Sequence, residues 1–422
     1  MPEPRTRPVP RELAIRALGQ VLSQGVHADA ALEEIFSTVS EPSNRHWLQD
    51  VVHGTLRWKG RLDWALDSVS HKKKPTGWLR RVLLVAAYQI IVQERVRDAS
   101  VVFETVDLIK SKEGPAPANF ANATLRRLSE TADSWLNLPF PERATNAVQA
   151  QWASLPEWMW TRLLKDRGFK WTQDFAKACL QRPELWLRAR EDFKKGAEIG
   201  EIGPLPTSIK VSHGSGTRVT EIAGFSEGQW VVQDISSQLL VDHVVRACAG
   251  VGIGRGARAL DVCAAPGGKS VGLAWNGFKV LASDADAKRV PLLRNTIERV
   301  GDAFEIAASV EEGLSAGPFD LVWVAAPCSG SGILRRHPDV RWVRSEADVA
   351  SLEMTQLSLL QRVWSAVRPG GVLAYSVCSV FASEGTEQIA RVSGAERLGE
   401  WLIAPHEQGG DGFYGAALRK PS

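Results

Sequence analysis

No apolar run in this 422-residue chain is long enough to cross a bilayer. The most apolar stretch, residues 82–92, is about a dozen residues and is interrupted by Gln89, against the roughly 20 that a spanning helix needs. The N-terminal MPEPRTRPVP has no apolar core behind its basic residues, so no secretory signal is expected and the cytoplasm is the expected location. Cysteines are few: 179, 248, 263, 328 and 378. Their number is odd and they lack C-x-x-C or His-pair spacing, which excludes a disulfide framework and a zinc site. The chain also lacks G-x-G-x-x-G and the Walker spacing, so dinucleotide and P-loop readings fail. No internal repeat is evident. The formal net charge of +3 permits nucleic acid as a partner without demanding it.

What is present changes character along the chain. Leu13, Ala14, Ala17, Leu18, Val21 and Leu22 recur at helical spacing, and the pattern continues through Ala31, Leu32, Ile35 and Phe36. Further helical stretches are expected near residues 44–70, 79–93, 99–112 and 118–131, with breaks at Lys74-Pro75-Thr76-Gly77 and Gly114-Pro115-Ala116-Pro117. The spacing therefore predicts an all-α domain over residues 1–135. Between Arg57 and Arg81 eight basic residues stand against two acidic ones, Lys72, Lys73 and Lys74 among them. Such a run is either a solvated face or a phosphate-contacting patch. Residues 136–228 are mixed and rich in Trp and Pro, and read as a linker with a small α+β subdomain. From residue 229 to 422 short apolar runs alternate with helical segments: 259–262, 279–283, 321–325 and 372–377 read as strands. That rhythm predicts an α/β domain with a doubly wound parallel sheet, closed by one more strand after residue 411.

Chemistry concentrates at the ends of those strands. In DVCAAPGGKS, residues 261–270, Pro266, Gly267 and Gly268 let the backbone approach a ligand at a helix N-terminus. The next strand ends in Ser283-Asp284-Ala285-Asp286, an acidic position about 20 residues on that suits ribose hydroxyls. FDLVWVAAPCSGSG, residues 319–332, carries an apolar run into a turn that presents Cys328, and GGVLAYSVCS, residues 370–379, does the same with Cys378. Ligands of such sheets lie beyond the carboxyl ends of the strands, so both thiols are candidates for catalysis. On strand position alone Cys328 reads as the attacking thiol. A thiolate is the tool for methylating carbon 5 of a pyrimidine, because its reversible addition to carbon 6 turns the ring into an enamine.

The strings CAAPGGK, PCSGSG with RRHPDVRW, and YSVCS resemble the motifs of RNA 5-methylcytosine methyltransferases of the RsmB/NOP2/Sun type. QDISSQLLVDHV and DGFYGAAL extend the resemblance, and DVVHGTLRW, LLVAAYQIIVQERV and ANFANATLRRL resemble the NusB-like helical domain of its bacterial ribosomal-RNA branch. The resemblance implies a class I, Rossmann-like methyltransferase domain behind a NusB-like RNA-binding domain, and a methyl transfer from S-adenosylmethionine to ribosomal RNA, 16S in that branch. It implies that Cys263, Ala264, Ala265, Pro266, Gly267, Gly268, Lys269 and Asp284 bind the cofactor. It makes Cys378 the nucleophile and gives Cys328 the release of the product. Arg335, Arg336 and Arg341 would hold the RNA backbone. A monomer without metal is expected.

Three positions depart from the family pattern. The family has an Asp immediately before Ala-Pro-Cys, against the cytosine ring, where this chain has Ala325. Ala307-Ala308-Ser309-Val310 stands where a Gly-Asp pair is usual, and Glu384-Gly385-Thr386-Glu387 where Glu-Asn-Glu is usual. Loss of the ring-contacting carboxylate removes about 2 to 4 kcal/mol of stabilisation, a slowing of roughly 30- to 1000-fold, unless Asp261 or Asp286 substitutes. The competing reading is an RNA-binding or assembly protein that keeps the fold with weak or no turnover.

Overall fold

Helix ends in the front of the chain follow local signals. Three helices, Pro10–Gln24, Pro42–Val69 and Pro115–Glu130, start on a proline, whose fixed φ and missing N–H suit a first helical position. Gly114, at φ 86°, separates Pro115–Glu130 from the preceding Asp98–Glu113. The expected break at 114–117 is thus a turn that starts a helix rather than a longer loop. With Ala28–Phe36 and Gly77–Ile91 these helices bury Leu18, Leu56, Leu66, Val85, Ile109 and Leu125 completely. The computed structural model describes residues 10–70, 74–93, 96–194, 196–211, 218–301 and 304–422. Its chain divides into two compact units, residues 1–182 with 334–344, and residues 183–333 with 345–422.

The first unit is all helix among its described residues; Ala132–Leu136, Asn146–Ala153, Glu157–Arg167, Phe169–Cys179 and Val340–Val343 complete it. It also holds the segment from Leu334 to Arg344, and this corrects one expectation. Arg341 is fully buried, and its guanidinium donates to the carbonyls of Arg57 (2.6 Å), Ser154 (3.2 Å), Cys179 (2.6 Å) and Leu334 (3.4 Å). Arg57 in turn donates to the carbonyl of Arg335, at 2.7 Å from Nη2. Arg335 is itself 5% exposed. Arg341 is therefore an internal staple, and neither it nor the buried Arg335 is available to a phosphate backbone. Burial pushes Arg57 and Arg341 down to about 10; the Asp50 carboxylate partly offsets this at Arg57.

Part of the basic stretch from Arg57 to Arg81 is paired within the unit. Lys59 and Arg80 pair with Asp63, and Arg80 and Lys74 with Asp67. Lys72 and Lys73 lie outside the described residues.

The second unit carries two sheets. Strands β1 (Trp186–Ala189), β2 (Gly200–Ile202), β3 (Ser208–Val211) and β4 (Trp230–Val232) form a small antiparallel sheet in the order β2-β3-β1-β4. The larger sheet contains β5 (Arg258–Val262), β6 (Lys279–Ser283), β7 (Glu305–Ile306), β8 (Phe319–Ala325), β9 (Val367–Val377), β10 (Glu396–Ile403) and β11 (Phe413–Arg419). Their order is β10-β11-β9-β8-β5-β6-β7. Strands β5 to β9 are parallel, and the antiparallel β11 and β10 extend one edge. The chain runs outward from β5 through β6 and β7, then returns to place β8 on the other side of β5. That reversal is a topological switch point, where open α/β sheets bind ligands. Apolar runs without alternation made β5, β6, β8 and β9 readable, because both their faces are covered. Leu260, Val262, Leu321, Val322, Trp323 and Val324 are all fully buried. No helix of the described residues is long and apolar enough to cross a membrane.

Candidate active site

Register places the strand ends level with one another. Val262 pairs with Val324 and with Ser283, and Ala325 with Ser376, so the turns after β5, β6, β8 and β9 emerge side by side. The turn after β5 begins at Cys263, which takes the left-handed conformation at φ 63°. Its thiol is pushed up to about 11, first by burial and then by Asp284 and Asp261, and it stays neutral. Gly267, at φ 105°, leads into the helix Gly268–Trp275. The first-turn amides of Gly268 and Lys269 precede the first intrahelical bond, Val271 N to Gly267 O at 2.9 Å, and have no helical acceptor, whereas the Ser270 amide is turned to the Asp261 carboxylate.

Asp284, just past β6, faces this turn. Its Oδ2 accepts from Ala265 N at 3.0 Å and its Oδ1 from Asp286 N at 3.0 Å, with Arg289 Nη1 3.4 Å away. Arg289 also donates to the carbonyl of Ala265. The carboxylate thus fixes the turn and retains lone-pair capacity for further donors. Beneath the turn, Asp261 is fully buried, accepts from Ser270 Oγ at 2.6 Å, and is pushed up to about 6 by burial. Arg188 on β1 reaches Gln233 Oε1 at 3.0 Å, and Gln233 backs Gly268, where an added Cβ would lie 3.4 Å from its amide nitrogen. Free first-turn amides, a glycine in a conformation side chains avoid, and a carboxylate one strand away make a donor and acceptor set that fits an adenosyl cofactor.

The thiols meet on the other side of β5. Cys328 Sγ lies 3.3 Å from Cys378 Sγ. Cys328 is raised well above the ordinary thiol value, first by its hydrogen bond with Cys378 and then by burial. It therefore keeps its proton beside Cys378. Glu384, fully buried, holds the two loops together. Its carboxylate accepts from Ser329 N (2.7 Å), Ser329 Oγ, Ser379 Oγ (2.6 Å) and Gln356 Nε2 (3.0 Å). Gly332 completes the brace, since its N–H donates to Cys378 O (3.0 Å) and its carbonyl accepts from Gly412 N (2.7 Å). A Cβ there would stand 2.0 Å from Gly412 O, so only glycine lets PCSGSG, YSVCS and the turn before β11 run in contact.

The family model for 16S rRNA methyltransferase RsmB/F matches residues 254–397, and that for the NusB family matches residues 8–130. The chain is 30% identical over 444 residues to ribosomal RNA small subunit methyltransferase B of Serratia proteamaculans, covering 97% of this chain and 98% of the relative. The chain belongs to the RsmB/F methyltransferase family. In fold it is similar to the crystal structure of PH0851, with TM-score 0.70 and 22% identity over 99% of this chain and 100% of that one. A methyltransferase homologue from Pyrococcus horikoshii gives TM-score 0.52 and 20% identity over 64% of this chain and 97% of that one. S-adenosylmethionine is the cofactor of this methyltransferase family.

The expected residues sort by this geometry into two groups. Cys263 to Lys269 and Asp284 gather at the turns after β5 and β6, and Cys328 and Cys378 at those after β8 and β9. Of the suggested substitutes for the missing family Asp, Asp261 is sealed beneath the glycine turn, and Asp286 follows β6, across β5 from the strands that carry the thiols. In the sequence Glu384 only heads the segment Glu384-Gly385-Thr386-Glu387, with no bracing partner near it in the motif. Its signal was its place six residues after Cys378, and its bracing function depends on Ser329 and Gln356, which are distant in the chain.

Proposed function

We propose that this RsmB/F-family methyltransferase forms 5-methylcytosine in 16S rRNA through a covalent adduct between Cys378 and carbon 6 of the target cytosine. The observation that carries the reading is the 3.3 Å thiol pair at the ends of adjacent strands β8 and β9. The protonated Cys328 supports Cys378 as the thiolate, since a neutral S–H donor beside it stabilises the charged form. Cys378 adds to carbon 6 of a cytosine turned out of its stack, and the ring electrons collect at carbon 5. S-adenosylmethionine would be held by the turn from Cys263 to Lys269 and by Asp284, and would supply the methyl group to carbon 5 as its sulfonium leaves as the neutral thioether. Loss of the carbon 5 proton to a base then restores the ring, the bond from carbon 6 to Cys378 breaks, and the thiolate returns to its place beside Cys328. Cys328 lies where it can assist that release.

Ala325 stands next to this chemistry without a carboxylate to offer the ring, which sets a slow turnover. Incubation with radiolabelled S-adenosylmethionine and unmethylated small-subunit rRNA, followed by base mapping, tests the reading. Label in 5-methylcytosine at one position is the expected result. RNA binding without any methyl incorporation would refute it and leave an assembly protein.

A further inference from the structure

The first unit contains a cavity of about 330 Å³ that the methyl-transfer chemistry does not use, walled by Trp58, Arg61, Leu136, Phe140, Trp152 and Lys177 among others. Its size falls in the range of small-ligand sites, about 300 to 1,000 Å³. Arg61 is 5% exposed. Its guanidinium lies between two indoles, with its carbon 4.3 Å from the Trp152 ring centroid and 5.1 Å from that of Trp58. Nε donates to Trp152 O at 2.6 Å. No carboxylate among the described residues pairs with Arg61, and its two terminal nitrogens are not sealed from solvent. This buried cation therefore presents an unused fork to the cavity, held in one plane by the rings.

The remaining wall fixes what that fork would receive. Lys177, exposed in the last turn of Phe169–Cys179, adds a second cation, and no acidic residue lines the cavity. Leu136, 39% exposed, and Phe140 form an apolar lip. Phe140 is braced edge-on against Trp152, with ring centroids 4.9 Å apart. A planar fork with a neighbouring ammonium matches a phosphate, and an aromatic, apolar lip matches a base face. An acidic peptide would satisfy the cations and leave the lip unused.

We propose that this cavity is a second RNA-contacting site, taking an unpaired ribonucleotide with its phosphate on Arg61 and Lys177 and its base against Leu136 and Phe140. The identity of the occupant rests on the rRNA reading above; the presence of an anion site does not. The test is ultraviolet crosslinking of the full chain to a short single-stranded oligoribonucleotide carrying 5-bromouridine, with the crosslinked peptides identified by mass spectrometry. Crosslinks are expected on the peptides containing Trp58 or Phe140, in the Cys378→Ala protein as well as in the wild type. Lys177→Ala and Arg61→Lys are each expected to weaken oligonucleotide binding about five-fold or more, one charge-assisted phosphate contact apiece.

Crosslinks confined to other peptides, with unchanged affinity for Lys177→Ala, overturn the proposal. It also fails if inorganic phosphate or an acidic peptide displaces the oligonucleotide as well as a second oligonucleotide does. Methylation without these crosslinks removes this site and leaves the proposed activity standing; crosslinks without methylation do the reverse.

Discussion

Asp261 is the residue where stability and function pull apart. Its carboxyl is fully buried, and one of its oxygens has no hydrogen-bond donor. Burial raises it to about 6, so the folded protein holds this proton more tightly than the unfolded chain. Its contribution is most favourable below the ordinary carboxylate value near 4 and declines as pH rises to about 6. At neutral pH the fold carries a buried charge. Asp261→Asn is therefore expected to stabilise the protein by about 1 to 3 kcal/mol at pH 7.5, with the gain vanishing near pH 4, as thermal melts at the two pH values would measure. Ala325 is the complementary case, a neutral residue where a charge would serve. It ends β8 beside Ser376, partly exposed. Ala325→Asp is expected to raise kcat by ~10-fold or more by supplying a partner for charge developing on the ring; an unchanged or lower rate would remove this explanation of slow turnover.

At the scale of elements, the loops after β8 and β9 are tied to each other by hydrogen bonds as well as by the buried Val380 and Phe381. Glu384 gathers Ser329, Ser379 and Gln356, and its backbone carbonyl accepts from Tyr375 OH at 2.7 Å. Removing the carboxylate strands several buried donors at once. Glu384→Ala is expected to cost about 3 kcal/mol or more in denaturant unfolding and to separate the thiols, so that methyl transfer falls further than the loss of folded protein explains. The strands that present the thiols were legible because burial on both faces leaves an unbroken apolar run in the sequence. β10 was not, since Glu396–Ile403 is half-exposed and mixes charge with apolar residues at the sheet edge. The small sheet of β1 to β4 was read only as mixed structure, its strands being three or four residues long. The glycine turn and both cysteines were readable because their geometry is local. Glu384's bracing was hidden because its partners lie 28 and 55 residues away in the chain.

At the scale of the whole molecule, the same limit explains Arg341. A cluster of arginines beside a catalytic motif suggests RNA, yet the carbonyls that Arg341 serves come from residues 57, 154, 179 and 334, a convergence that only folding creates. The neighbouring His337 makes this helical unit pH-sensitive. His337 Nδ1 lies 3.2 Å and His53 Nε2 3.3 Å from the Asp29 carboxylate. Its hydrogen bond with Asp29 raises His337, and the same bond, followed by that with His53, lowers Asp29. The raised imidazole contributes stability that is complete below its ordinary value near 6.5 and is lost as pH climbs through the folded value. The lowered carboxylate contributes stability that is complete above about 4 and is lost as pH falls further. The pair therefore stabilises most between these limits, and the melting temperature gap between wild type and His337→Gln is expected to be wider at pH 5.5 than at pH 9.

The two thiols carry the central claim, and trapping the RNA adduct tests it most directly. With unmethylated 16S rRNA and S-adenosylmethionine, Cys328→Ala is expected to accumulate a denaturation-resistant protein–RNA adduct, because attack proceeds and release stalls. Cys378→Ala is expected to form none. An adduct with Cys378→Ala and its absence with Cys328→Ala would reverse the roles of the pair and contradict the account.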